Sequence, residues 1–127
     1  MRPWLPAPPS YTRINVQTEK ADSNALLAWY QSLIRLKKTN PAFGEGGCTM
    51  RDADNASVLI WMRQVPGAPA VVVSVNFTGE PQTVSLSVPG SSGKAKTLLK
   101  TPGVPDPDSL GHIQLGACGV YTGEAEP

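Results

Sequence analysis

Several kinds of residue are scarce in this 127-residue chain, and each scarcity excludes a class of protein. Eleven Lys and Arg stand against ten Asp and Glu, so no net field exists to hold a polyanion or an acidic membrane. No apolar run approaches the roughly 20 residues that cross a bilayer, and no basic segment followed by an apolar run directs secretion. We therefore expect a cytoplasmic location and neither nucleic acid nor membrane as a partner.

Cysteine and histidine are also scarce, with two residues and one residue. Cys48 and Cys118 are too few for a disulfide framework, and together with the single His112 they do not make a metal site. We expect two reduced, partly buried thiols, although a single bridge between them stays open. Glycosylation sequons begin at Asn55 and Asn76, but no secretory signal accompanies them, so glycosylation is not expected. No cofactor is expected either.

Proline and glycine, in contrast, are abundant, with 13 and 12 residues, a composition typical of many short strands joined by turns. Prolines are concentrated in residues 1–21, where each fixes its own φ and biases its predecessor toward extended conformations. This segment is predicted to be an extended arm whose apolar side chains lie in grooves of something larger. Those side chains are Trp4, Leu5, Tyr11, Ile14 and Val16.

An α-helix is predicted over residues 23–39. Asp22 and Ser23 offer N-cap oxygens before a run of good helix formers, and the helix ends before Pro41, because a residue preceding proline avoids the α region. The apolar arc covers more than half of the helix, which predicts a position between two packed layers. Its members are Leu26, Leu27, Trp29, Tyr30, Leu33, Ile34 and Leu36.

From residue 44 onward the apolar period changes to two. Residues 58–63 and 70–77 are nearly continuous apolar runs, typical of central strands, whereas residues 83–88 alternate and predict one dry face and one wet face. Further short strands are predicted at residues 48–51, 96–100, 112–115 and 119–121, so that the total is about seven.

These elements predict a mainly β fold, an antiparallel β-sandwich preceded by an extended Pro-rich arm and one α-helix. The predicted organisation is an arm and helix over residues 1–43 and a sandwich over residues 44–127.

The order of several short motifs carries a family resemblance. They are residues 3–6 (PWLP), 8–11 (PPSY), 14–16 (INV), 22–27 (DSNALL) and 41–43 (PAF). This succession resembles the stretch after the last catalytic loop of oligo-1,6-glucosidase-like α-glucosidases of the α-amylase superfamily. In that family a PWLPV-P-Y…NV segment runs into the final helix of a (β/α)₈ barrel. Residues 70–78 resemble its LVVLNFS strand and residues 119–121 its closing VY strand.

The resemblance implies a C-terminal segment that lacks the family's catalytic groups. A retaining glycosidase needs a nucleophilic carboxylate and an acid/base carboxylate about 5 Å apart. The family draws its nucleophile Asp, acid/base Glu and third Asp from barrel loops upstream of this segment, and none of those motifs occurs here. No catalytic residue is therefore carried over, and the chain alone is expected not to be an enzyme.

The chain's own ionisable residues do not replace those groups. All ten acids fall in predicted loops, caps or termini, where solvation leaves a carboxylate ionised, and Asp106 and Asp108 are the nearest to a pair. No nucleophile elbow accompanies His112, which is predicted to be a surface or rim residue. Residues 44–47 (GEGG) lack the Lys-Ser/Thr of a phosphate loop and are predicted to be a turn.

Three functions remain. The first is a structural domain whose partner is the missing (β/α)₈ barrel of a parent enzyme. Without that barrel, the chain is expected to self-associate through the helix at residues 23–39. The second is a carbohydrate-binding module, which is disfavoured because Trp61, between Ile60 and Met62, is expected in the core. The third is an interaction module in which residues 8–11 present a polyproline helix to a WW domain.

Overall fold

Seven antiparallel strands dominate the structure, a computed structural model that describes residues 4–51 and 55–127. They are β1 (Gly47–Arg51), β2 (Val58–Gln64), β3 (Val71–Asn76), β4 (Gln82–Val84), β5 (Ala95–Lys100), β6 (Ile113–Leu115) and β7 (Val120–Ala125). Five form one sheet in the order β1-β2-β3-β7-β5, and β4 pairs with β6 in a second sheet. The predicted mainly β fold is thereby confirmed. Pro3 of the arm motif and residues 52–54 of the predicted turn lie outside the described residues.

The chain divides into two compact units, Met1–Arg35 and Leu36–Pro127. This division falls inside a helix, α2 (Leu26–Thr39), so the last turn of α2 belongs to the same unit as the sheets. The boundary predicted between residues 43 and 44 stays a prediction.

The core of the larger unit lies on one face of the five-stranded sheet. Alternate residues of β2 and β3 point to this inner face, because successive side chains of a strand point to opposite sides. Ile60, Met62 and Val72 are buried there, as are Ile113 and Leu115 of β6 in the second sheet. The two sheets thus enclose one continuous apolar cluster, which completes a sandwich.

Tyr121 on β7 is the largest fully buried side chain of that cluster. A Cβ atom at Gly123 would overlap its hydroxyl, so the phenol lies over the glycine two positions along the strand. Burial raises the pKa of the Tyr121 phenol, which keeps it neutral. Gly123 therefore makes the space that this aromatic side chain needs.

The strand predicted at residues 83–88 is regular over only part of its length. Val84, Leu86 and Val88 are buried and the residues between them are exposed, so the predicted alternation is present. The ladder with β6 ends at Val84, however, and the Leu86 N–H donates instead to the Leu110 carbonyl at 2.8 Å.

Helix α2 begins at Leu26, three residues after the predicted start at residue 23. The Asp22 carboxylate accepts a hydrogen bond from the Asn24 N–H at 2.8 Å, so residues 22–25 form a turn instead of a helical cap. The Leu27 N–H of the first helical turn donates to the Glu19 carboxylate at 3.0 Å. The predicted caps at Asp22 and Ser23 are therefore wrong, and a more distant acid performs that role.

The prediction of an extended arm over residues 1–21 is wrong in part. A 3₁₀ helix occupies Pro9–Thr12 and a short α-helix, α1, occupies Val16–Glu19. Proline suits the first turn of a helix because its missing N–H has no partner there. Asn15 and Thr18 cap α1 reciprocally, with the Asn15 side chain accepting from the Thr18 N–H at 3.0 Å.

Residues 40–46 lie against the outer face of the five-stranded sheet, the face opposite the core. Asn40 ends α2 and caps the short helix α3 (Pro41–Gly44), which places Ala42 in a buried position. The Arg63 guanidinium of β2 donates to the carbonyls of Ala42 and Gly46, both at 2.8 Å. Gly46 is buried, and a Cβ atom there would overlap the Ala42 carbonyl oxygen.

We predict that Gly46→Ala lowers the free energy of unfolding by about 1–3 kcal/mol, because the added methyl forces residues 42–46 away from Arg63. Gly44→Ala is the matched control, since a Cβ atom at Gly44 meets nothing within 4 Å. Its effect should stay within about 0.5 kcal/mol. Urea unfolding followed by circular dichroism measures both, and equal stabilities of the two variants would contradict the packing described.

Candidate functional site

Asp106 and Asp108 are the acids that the sequence brings closest to a pair. Asp106 forms an ion pair with Lys100, with its Oδ2 atom 2.9 Å from the Lys100 Nζ atom, and both Asp106 and Asp108 are exposed. Hydrogen bonds from Lys100, and secondarily from Thr97, lower the pKa of Asp106 below its ordinary value. A carboxylate held ionised in this way cannot donate a proton near neutral pH.

Two of the acids lie in regular structure and not in the loops, caps or termini that are predicted for the acids. Glu19 ends α1 and hydrogen-bonds to the start of α2, and Glu124 lies within β7. The Glu124 carboxylate accepts from the Asn40 side chain at 3.4 Å. Both carboxylates thus accept hydrogen bonds within the fold. Asp52 and Asp54 lie outside the described residues.

His112 is exposed just before β6, as expected for a surface residue. Its Nε2 atom lies 3.0 Å from the Gln114 side-chain nitrogen, a polar neighbour without charge. Within residues 4–51 and 55–127, no group of three or more His, Cys, Asp or Glu residues is placed to hold a metal ion.

Cys48 and Cys118 are both free thiols and both exposed, so the expectation of partial burial is wrong. Cys48 lies on β1 at the edge of the sheet, and Cys118 occupies a turn with a positive φ of 52°.

The glycosylation sequon at Asn76 is inaccessible, because its buried side-chain amide donates to the carbonyls of Glu80 and Gly116, both at 2.8 Å.

Trp61 lies on the outer face of the five-stranded sheet, so its expected position in the core is wrong. Its neighbours Ile60 and Met62 fill the core, and the two-residue period of β2 places Trp61 on the opposite side. The indole is half-buried between its cross-strand partners Met50 and Val73.

Apolar side chains are exposed on α2 in the first unit. Leu26 is 64% exposed and Tyr30 57%, and Leu33 and Ile34 are exposed beside them. No residue of α2 is buried. A helix whose apolar row faces water lacks the packing that normally stabilises it, so this row is a candidate binding surface.

The arm before α2 has the same character. Trp4 is 92% exposed, and the other large apolar residues of the segment are also exposed: Leu5, Tyr11, Ile14 and Val16. The Tyr11 N–H donates to the Pro8 carbonyl at 3.0 Å within a 3₁₀ turn, so residues 8–11 do not form the polyproline helix that the WW-ligand hypothesis requires.

A cleft of about 330 Å³ lies at the end of the sandwich, beside the turn between β2 and β3 and the chain's last residues. Gln64, Ala70, Val88 and Glu126 are among the residues that line it. Its one ionisable side chain, Glu126, is exposed. The cleft therefore lacks the convergent polar groups that orient a ligand.

Among the described helices, none is long and apolar enough to cross a membrane.

No protein-family model matches the chain. Curated relatives do match it, including the probable oligo-1,6-glucosidase 2 of Bacillus subtilis, 30% identical over 97 residues, which are 76% of this chain and 17% of the relative. The oligo-1,6-glucosidase of Halalkalibacterium halodurans is 32% identical over 68% of this chain and 16% of its own length. The chain thus spans less than a fifth of the curated relatives it matches.

Solved structures give the same picture over nearly the whole chain. The trehalulose synthase of Pseudomonas mesoacidophila MX-45 superposes with a TM-score of 0.85 and 26% identity, covering 98% of this chain and 22% of the enzyme. A trehalulose synthase variant with bound glucose superposes with a TM-score of 0.86 and 28% identity over the same shares.

We predict that the Lys100–Asp106 pair makes stability depend on pH in acid. Because the folded-state pKa of Asp106 is lowered, its contribution is complete above about pH 4 and is lost as pH falls through the folded value. Asp106→Asn should flatten the decline of unfolding free energy below about pH 4. Asp108→Asn, two residues away and exposed, is the control and should leave the decline unchanged. Identical pH profiles for wild type and Asp106→Asn would refute this role.

Proposed function

The chain is homologous to a segment of the oligo-1,6-glucosidase-like α-glucosidases of the α-amylase family, and from this we propose that it is their non-catalytic C-terminal structural domain. In this proposal the hydrolysis of α-glucosidic bonds belongs to a (β/α)₈ barrel that the 127 residues do not contain. The sandwich contributes stability and orientation, and α2 completes the wall of the barrel.

The exposed apolar row of α2 is the single observation that supports this proposal most. Leu26, Tyr30 and Ile34 recur at helical spacing on one side of the helix and face water. Burying apolar surface is worth about 25 cal/mol per Å², so a partner that covers this row would be strongly favoured. The homologous enzymes are several times longer than this chain and supply a body of the required size.

The acids of the chain support a non-catalytic role. Asp106 is ionised and paired with Lys100, and Glu19 and Glu124 hydrogen-bond within the fold. A retaining mechanism needs one carboxyl group with a raised pKa facing a carboxylate across the sugar. The pKa of Asp106 is lowered by its hydrogen bond from Lys100, which is opposite to what a proton donor needs.

The purified chain is therefore expected to release no glucose from maltose or isomaltose. A coupled glucose assay at high protein concentration measures this, and Asp106→Asn serves as the control for a contaminating enzyme, since a contaminant's activity would not change with this substitution. Glucose release that co-purifies with the chain and disappears in Asp106→Asn would contradict the proposal.

The isolated chain is also expected to bind a hydrophobic dye or to self-associate through α2. Tyr30→Gln should lower both the dye fluorescence and the sedimentation coefficient, because it replaces an exposed apolar side chain of the row. Gln31→Ser changes an exposed polar neighbour on the same helix and should change neither. A monomeric wild-type chain that leaves the dye dark would count against a missing partner.

A further inference from the structure

The two edge strands of the five-stranded sheet, β1 and β5, differ in how far the chain itself blocks them. An edge strand presents unpaired N–H and C=O groups, and proteins keep other strands away with lysines, bulges or a covering segment. On β5, Lys96 is exposed, and the ladder with β7 is irregular between Thr97 and Leu99. The Asp106 carboxylate, in the segment after β5, forms an ion pair with Lys100, so this segment lies against the strand. The β5 edge is therefore blocked.

The β1 edge is open by comparison. The register of β1 with β2 is regular at all five positions, and the strand sequence, GCTMR, contains neither lysine nor proline. Residues 47–50 are all exposed. Among the residues that the structure describes, no strand pairs with the far side of β1. This edge can therefore accept another strand.

The hydrogen bonds of the sheet show which backbone groups of β1 point outward. In an antiparallel pair, every second residue exchanges both backbone hydrogen bonds with the residue opposite. The Phe77 N–H donates to the Ser57 carbonyl at 3.0 Å, and this pair continues the β2–β3 register. Odd-numbered residues of β2 therefore bond to β3, and even-numbered residues bond to β1, at residues 47, 49 and 51. The N–H and C=O groups of Cys48 and Met50 consequently point away from the sheet.

We propose that the β1 edge is the contact of a symmetric dimer, in which β1 pairs antiparallel with β1 of a second copy. The outward backbone groups of the two copies meet only if the two-fold axis passes through a residue, which allows registers centred on Cys48, Thr49 or Met50. This inference is independent of the proposed function, which depends on α2 and not on the edge of the sheet.

Charge complementarity favours a second copy as the occupant and selects the register centred on Cys48. In that register Arg51 lies opposite Glu45 of the second copy, at both ends of the paired segment. The register centred on Thr49 instead places Arg51 opposite Gly47, which has no charge. Opposite charges at facing positions stabilise a strand pair, and like charges destabilise it. Glu45 is exposed and Arg51 is half-buried, so both side chains reach solvent at this edge.

Sedimentation equilibrium of the 127-residue chain measures the dimer, and Met50→Pro is the test variant. Proline removes the outward N–H of residue 50 and keeps the N–H groups that bond to β2, as edge strands tolerate. The dissociation constant of the dimer should rise at least about tenfold, because each copy loses a hydrogen-bond donor at the contact. Met50→Val retains the N–H and should dimerise like the wild type. Circular dichroism verifies that each variant keeps its sheet.

Charge reversal tests the register without relying on proline. Arg51→Glu alone and Glu45→Arg alone should each raise the dissociation constant by about tenfold, because two attractive pairs become repulsive. The two substitutions together should restore the wild-type value. In addition, a short bismaleimide should join two copies through Cys48 in the Cys118→Ser variant, where the two Cys48 residues face each other, and should not join copies of Cys48→Ser.

A wild-type chain that stays monomeric would overturn the proposal. A dimer that Met50→Pro leaves intact and Tyr30→Gln dissociates would also overturn it, because that dimer would form through α2. If Met50→Pro unfolds, the charge reversal decides, and a double variant as weak as the single variants would reject the pairing described. None of these results bears on glucose release, so the proposed function is tested separately.

Discussion

The two-residue period of strands β2 and β3 is the constraint on which the rest of the larger unit depends. A strand sends alternate side chains to opposite faces, so apolar residues at consecutive positions require a dry environment on both sides of the sheet. The inner face receives it from the second sheet, through Ile113 and Leu115. On the outer face, residues 40–46 provide it at one end, while Leu59 and Phe77 at the other end are exposed.

This uneven cover connects packing with the proposed function. Arg63 satisfies two backbone carbonyls of residues 40–46, and Gly46 permits the close approach of the chain to Ala42. At this end of the outer face, hydrogen bonds therefore hold residues 40–46 against the sheet, and the apolar contact between them is small. Beyond it, and separately on α2, the chain presents apolar surface that its own residues do not cover, as expected of one part of a larger enzyme. Asp106, meanwhile, forms an ion pair with Lys100, and the carboxylates of Glu19 and Glu124 accept hydrogen bonds within the fold.

Local patterns predicted the elements better than their ends or their surroundings. The strands and the end of α2 before Pro41 follow from period and proline chemistry, both of which act within a few residues. The start of α2 was predicted too early because the Glu19 carboxylate, eight positions from Leu27, satisfies the first turn. The prolines of the arm predict extension, whereas the reciprocal cap of Asn15 and Thr18 stabilises a helical turn there.

The sequence by itself determined the fold class, the resemblance to the α-glucosidases and the absence of the family's catalytic motifs, because each depends on residue type and short spacing. Only the tertiary structure decided which face of the sheet holds the core, and with it that Trp61 lies on the outer side and that Asn76 is sealed within the fold. A continuous apolar run is compatible with either orientation of its strand. The choice is made by the second sheet, whose strand β6 lies far along the chain from β2 and places Ile113 and Leu115 against one face.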